Sequence, residues 1–402
     1  MKKRLICGCV VMALFFAGFM GVNQFSPEER SITIANEDVA VLEENPEFQV
    51  AAKGAVLMDA STGRVLFAQD AKEELPLASV TKVMTMLLLL EGCEDKKISM
   101  RDVVTVSENA ASMGGSQMYL EPGEQHTVKE LLMGIAMVSA NDACVAMAEH
   151  LCGSVDMFVE KMNIRASELG MKNTNFVNTN GLPAENHYSS AYDIAMMTRE
   201  LLKHPVSHEL LTKEQAIVEV GLPGKEKEFE LINTNKLLKQ YNGAIGVKTG
   251  FTQDAMYCLS AAAKREDTTL IAVILGAESS AVRFDEAKKL MDYGFSGYET
   301  VTIAEKGEIQ KKIRLDKSNP ECINAVVGEK CTALVNKGEK DKVSTKVEIK
   351  ERICAPVKKG DKLGEIEIYI DGVKSGQCDL VAEKSAEKAS VKEIYMRMFK
   401  SI

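Results

Sequence analysis

The chain has 402 residues, with 49 Lys and Arg against 58 Asp and Glu and a formal net charge of -9 at neutral pH. That length holds two or three domains with a well-buried core, and 46% hydrophobic with 27% charged residues argues against wholesale disorder. The acidic balance argues against a nucleic-acid partner, which would call for a basic face, and no phosphate-cradling glycine loop is present.

Lys2, Lys3 and Arg4 precede the apolar run Leu5 to Met20, the pattern of an export signal over residues 1–22. An uncleaved N-terminal anchor is the alternative, since the run approaches the length of a membrane span and no clean Ala-x-Ala site follows it. Residues 23–47 are acidic and poor in apolar side chains, a linker. A folded domain is expected over 48–296. It opens with two apolar runs, Gly54 to Ala60 and Arg64 to Ala68, around Ser61-Thr62-Gly63, which predicts a hairpin. A helix is expected from Ser79 through the apolar run Val83 to Leu90. Val128 to Met137 and Ala143 to Leu151 have helical character, with Ser139 and Asn141 on a loop between them. Ala244 to Val247, Tyr257 to Ala263 and Thr269 to Leu275 read as strands, and Asp285 to Tyr293 as a closing helix.

Strands at both ends with helices between them predict an α/β (α+β) fold, one sheet assembled from distant segments and packed with helices. Over 297–382 short alternating stretches joined by Lys, Gly and Asp turns predict a small all-β domain. Residues 383–402 read as a polar tether, Glu383 to Ser390, and a helix placing Val391, Ile394, Tyr395, Met398 and Ile402 on one face. That face suits a membrane surface, or packing against the β domain. Cys93, Cys144, Cys152 and Cys258 lie in or beside apolar stretches, as small buried hydrophobes do. Cys322 with Cys331, or Cys354 with Cys378, are possible pairs that sequence cannot decide. No metal-binding spacing is present.

Three short motifs carry chemistry: Ser79-Val80-Thr81-Lys82, Ser139-Ala140-Asn141 and Lys248-Thr249-Gly250. Each of the last two alone is commonplace; together and in this order the three form a recognisable serine-enzyme set. A helix starting at Ser79 puts Ser79 and Lys82 on one face, about 5–6 Å apart at Cβ, and offers free backbone N–H groups to a developing oxyanion. A serine hydroxyl needs a partner to take its proton. Lysine serves only when neutral, so its pKa must fall from about 10.4 toward neutrality, roughly 4 kcal/mol of environment. Burial and a like charge, for which Lys248 is a candidate, both act in that direction. Ser139 can pass a proton to a leaving amine and Asn141 can hydrogen-bond a peptide backbone. Lys248 and Thr249 can bind a carboxylate, while Gly250 permits close approach to a strand.

The chain resembles the low-molecular-mass penicillin-binding proteins, the serine D-alanyl-D-alanine carboxypeptidases. The resemblance extends beyond the motifs to "GAVLMDASTGRVLFAQDA", "LPLASVTKVMT", "SANDACVAMAE", "NGLP", "HYSSAYDIA", "GVKTGFT" and Ala281-Val282-Arg283-Phe284. It implies a penicillin-binding/β-lactamase-like transpeptidase domain, Ser79 as acylated nucleophile, Lys82 as base, and an oxyanion hole from the N–H groups of Ser79 and Phe251. It also implies Arg283 as a carboxylate ligand, no cofactor, stem peptides ending in D-Ala-D-Ala as substrate and β-lactams as covalent inhibitors. Location at the outer face of the cytoplasmic membrane, held by the C-terminal helix, follows from the same resemblance. Met256, where many relatives have Gly, departs from the pattern and is expected to alter the strand edge. The rivals are a β-lactamase, for which Glu185 is the candidate carboxylate, and a catalytically silent wall-binding protein on the same scaffold.

Overall fold

The computed structural model describes residues 49–350, 352–393 and 395. The signal or anchor segment 1–22, the linker 23–47 and most of the terminal amphipathic helix lie outside the described residues. Strands β1 (Gly54–Asp59) and β2 (Val65–Gln69) form the expected hairpin. The chain then leaves the sheet for a helical layer: α1 (Lys82–Glu94), α2 (Val128–Met137), α3 (Asn141–Cys152) and α4 (Ala191–Leu202). It returns through β3 (Ala244–Thr252), β4 (Met256–Arg265) and β5 (Thr268–Ala277), and closes with α5 (Ser280–Gly297). The sheet order is β2-β1-β5-β4-β3, antiparallel throughout, so the N-terminal hairpin pairs with a strand more than two hundred residues later in the chain.

Strand β5 shows why the sheet is buried on both faces. Ile271, Val273 and Leu275 point into the core with α1 to α4, while Leu270, Ala272 and Ile274 alternate into the core beneath α5. Helix α1 is surrounded, with ten of its thirteen residues buried. Burial of Leu87, Leu88 and Leu89 alone contributes about 1.5–3 kcal/mol each relative to exposure, so the nucleophile-bearing end of the helix has a rigid mount. Met256 turns β3 into β4 at φ 56°, in left-handed backbone where Gly carries no strain, yet Thr252 still pairs with Met256. The strand edge is retained, and the cost sits in the turn.

Helix α5 ends at Gly297 and β6 (Tyr298–Ala304) begins at the next residue. The second domain adds β7 (Ile309–Arg314), β8 (Cys322–Val327), β9 (Cys331–Asn336), β10 (Val343–Ile349), β11 (Lys362–Ile370) and β12 (Val373–Ala382). They form a β6-β9 ribbon and a five-stranded sheet in the order β7-β8-β12-β11-β10 around their own apolar core. The Thr300 N–H donates to Thr268 Oγ1 at 2.8 Å where the domains meet. Cys331 is bonded to Cys378, joining the ribbon to the sheet, so neither pairing considered from sequence is formed. Strand register brings those Cα atoms to 5.7 Å, a proximity that spacing along the chain does not encode. Glu383 to Ser390 is not a free tether either: Glu387 and Lys388 pair with Asn319 and Ser318, and the Ala386 and Ala389 N–H groups bond Val357 and Lys317.

Candidate active site

Ser79 lies in a tight 3₁₀ turn, Ala78–Thr81, that runs directly into α1. Ala78 holds φ 47°, an uncommon conformation for a residue with a Cβ, and its surroundings fix it there. The Thr81 hydroxyl donates to the Ala78 carbonyl at 2.8 Å and lies 2.8 Å from His187 Nε2. Because the Val177 N–H donates to His187 Nδ1 at 2.9 Å, the ring proton sits on Nε2 and is donated to Thr81. Burial pushes the His187 pKa down to about 4, so this clamp is neutral. Glycine backbones press on both sides of the turn: a Cβ on Gly181 would overlap the Ala78 carbonyl, and one on Gly250 would stand 2.9 Å from the Leu77 carbonyl oxygen and 3.1 Å from the Ser79 nitrogen.

Lys82 is fully buried, and its Nζ lies 2.9 Å from Ser79 Oγ, 2.7 Å from Asn141 Oδ1 and 2.6 Å from the Asn180 carbonyl. A neutral amine in this setting donates its two protons to Asn141 and Asn180 and turns its lone pair to the serine hydroxyl. Burial lowers the Lys82 pKa to about 8, against the nearby Asp142 carboxylate, which raises it. Roughly 3 kcal/mol of disfavoured charge corresponds to that fall. Burial, rather than Lys248, is the main cause. Lys248 is itself held well below its ordinary value, first by burial and then by the Lys82 charge, and its Nζ donates to the Thr249 carbonyl at 3.1 Å.

The second motif is built by a helix end. A capping box of Thr127 with Glu130 starts α2, and the Ala140 N–H closes it by bonding back to the Gly134 carbonyl at 3.1 Å. Ser139, just before that closing N–H, takes left-handed backbone at φ 64° as the chain leaves the helix. Its hydroxyl is buried and has no hydrogen-bond partner among the described residues. Asn141 is the first residue of α3, not part of a free loop. Its Nδ2 donates to the Gly114 carbonyl at 2.7 Å and its Oδ1 is taken by Lys82, leaving one amide N–H for another group. Asp142 fastens the covering segment by accepting the Met118 and Leu120 N–H groups.

On β3, the Thr249 hydroxyl lies 3.0 Å from that of Thr234, and Phe251 is exposed and packed on Tyr257 at 4.4 Å between ring centroids. Arg283 is buried behind this strand. Its guanidinium donates to the Gly250 and Cys258 carbonyls at 2.8 and 3.2 Å, while Nε has no partner among the described residues. The three motifs thus converge on one edge of the sheet, with Arg283 gripping the third from behind. Sequence reasoning missed Asn180, His187, Thr234 and Asp142. Asn180 and His187 fall within or beside "NGLP" and "HYSSAYDIA", so the resemblance marked the neighbourhood without their roles.

Comparison with known proteins agrees with this architecture. The D-alanyl-D-alanine carboxypeptidase family, peptidase S11, matches residues 40–279, and the penicillin-binding protein 5 C-terminal domain matches residues 298–388. The chain belongs to peptidase S11. It is 45% identical over 340 residues to the D-alanyl-D-alanine carboxypeptidase DacF of Bacillus subtilis, covering 84% of this chain and 86% of that one. It is 34% identical to DacC of Escherichia coli, covering 84% and 85%. Among solved structures, penicillin-binding protein 5 of Haemophilus influenzae superposes with a TM-score of 0.68 at 30% identity, over 85% of this S11 chain and 98% of the other.

Proposed function

We propose that this S11 enzyme hydrolyses the terminal D-Ala-D-Ala bond of peptidoglycan stem peptides, with Ser79 as nucleophile. The observation that carries the reading is the buried Lys82 amine 2.9 Å from Ser79 Oγ, its pKa lowered to about 8. Lys82 takes the hydroxyl proton as Ser79 attacks the carbonyl of the penultimate D-alanine. The Ser79 and Phe251 N–H groups receive the oxyanion. Ser139 then delivers its proton to the departing D-alanine nitrogen and is reprotonated from the Lys82 ammonium; water, giving its proton to the freed Lys82 amine, attacks the ester, and Lys82 returns that proton to Ser79 as the ester breaks. Lys248 and Thr249 bind the terminal carboxylate. Asn141 lends its remaining N–H to the peptide, Gly250 leaves room for it, and Arg283 adds positive charge behind the carboxylate site. No cofactor enters this sequence. A β-lactam mimics the substrate and stalls as the Ser79 ester.

Residues 48–296 serve as the catalytic domain and 297–382 as a β-rich support. The basic and apolar pattern of residues 1–22 supports export, and the amphipathic spacing from Val391 to Ile402 supports a hold on the outer face of the cytoplasmic membrane. D-alanine release from a synthetic peptide ending in D-Ala-D-Ala, by the full-length chain in detergent, tests the reading. Release that disappears in a folded Ser79→Ala variant is expected. A folded wild type that releases nothing, or that turns over penicillin rapidly, overturns it in favour of the silent binder or the β-lactamase.

A further inference from the structure

Two hydroxyls stand side by side at the carboxylate end of the site, and only Thr249 belongs to the three motifs. Thr249, next to Lys248 on β3, is buried, and Thr234 Oγ1 lies 3.0 Å from its hydroxyl. Thr234 itself is exposed, and neither hydroxyl has another partner among the described residues.

The contact is not needed to hold the chain in place. The Thr234 N–H donates to the Met137 carbonyl at 3.0 Å, at the end of α2 and two residues before Ser139. Asn233 donates to the Lys213 carbonyl and accepts the Asn235 N–H, while Asn235 Oδ1 accepts the Leu237 N–H. Main chain and asparagines thus fix the segment on both sides of Thr234, and the threonine side chain adds a hydroxyl beside Thr249.

Charge sets the direction of this pair. A hydroxyl has one proton to give, and an ionised carboxylate only accepts. With the substrate carboxylate at Lys248 and Thr249, the Thr249 hydroxyl spends its proton on the substrate. Its oxygen is then open to a donor, and Thr234 is placed to be that donor. We propose that Thr234 is a positioning residue: its hydroxyl donates to Thr249 Oγ1 and commits the Thr249 proton to the terminal carboxylate of the substrate. Two hydroxyls aligned in one direction polarise each other, which strengthens the bond to the anion. The inference rests on the carboxypeptidase reading and deepens it by adding a residue outside the motifs to the recognition of a free C-terminus.

The test measures D-alanine release from a peptide ending in D-Ala-D-Ala by full-length wild type, Thr234→Val and Thr234→Ser. Valine keeps the β-branch and the main-chain bond to Met137 and removes only the hydroxyl. Thr234→Val is expected to raise KM about 3–10-fold, the worth of one hydrogen bond, with kcat within about two-fold of wild type. Thr234→Ser should restore KM to within about two-fold. A penicillin presents a carboxylate to the same groups, so its second-order acylation constant should fall in Thr234→Val by a factor like that of KM. Thr234→Ala, read in the same way, replaces valine should that variant not fold. An unchanged KM, an undiminished acylation constant, or a serine variant no better than valine overturns the proposal while leaving the carboxypeptidase intact. A fall in kcat together with a melting temperature several degrees lower marks a structural tie and overturns it too. No release by the folded wild type overturns the underlying reading and this inference with it.

Discussion

Replacing Ser139 by glycine separates what this residue costs the fold from what it does for the reaction. Ser139 stands at φ 64° with its hydroxyl unpartnered by the described residues, so deleting that hydroxyl breaks no protein hydrogen bond. Left-handed backbone costs a residue with a Cβ roughly 1–2 kcal/mol. Glycine removes that strain but gives back about 0.4–1 kcal/mol through its freer unfolded chain. The net expectation is a gain of about 0.5–1 kcal/mol, a rise of roughly 1–4 °C in the melting temperature of the catalytic domain. D-alanine release should meanwhile fall by about 10²–10⁴-fold if Ser139 delivers the proton to the leaving amine. Ser139→Ala, which retains the Cβ and the strain, should lose the same activity without the gain in stability. Calorimetry of both variants beside a D-alanine assay checks the argument. A Gly variant that melts at or below the Ala variant refutes the strain, and release within about three-fold of wild type refutes the proton role.

Acylation by a β-lactam should rise about tenfold per pH unit up to the Lys82 pKa of about 8 and then level, since only the neutral amine accepts the serine proton. Asp142→Asn removes a charge that favours the ammonium, so stopped-flow acylation should place that limb at lower pH; an unmoved or upward-moving limb contradicts the electrostatics. Gly181→Ala combines φ 87° with overlap at the Ala78 carbonyl, and should cost at least about 2 kcal/mol in denaturant titrations along with most of the penicillin labelling. Cys331→Ser with Cys378→Ser opens a link spanning 47 residues, worth about 4 kcal/mol by chain entropy. Limited proteolysis should then cut the β domain first, while D-alanine release persists.

The parts of the site that could be read from the sequence are those that local geometry controls. Ser79 and Lys82 are one helical turn apart and the Lys248 motif continues an apolar strand, so once the three motifs are taken together, periodicity places both on their elements. Asn180 acts through a main-chain carbonyl 98 residues from Lys82, which no side-chain pattern announces. His187 works only because the loop folds back to Thr81, and its tautomer depends on the Val177 N–H. Arg283 matched the family pattern, but its grip on the Gly250 carbonyl depends on the start of α5, a helix packed on β4 and β5, coming within reach of β3. In the β domain, alternation gave away the strands but not their partners. The Cys331 pairing and the docking of Glu383 to Ser390 are consequences of register, a long-range property.

The three contacts of Lys82 come from three stretches of chain: its own turn, the start of α3, and the loop at Asn180. Until all three have docked, the amine is solvated, protonated and of ordinary basicity, and Ser79 is an ordinary alcohol. A partly folded chain is thus inert toward substrate and drug alike. Each covalently tagged molecule in a β-lactam titration is a molecule whose tertiary structure was complete, which makes the antibiotic a stoichiometric gauge of folding yield.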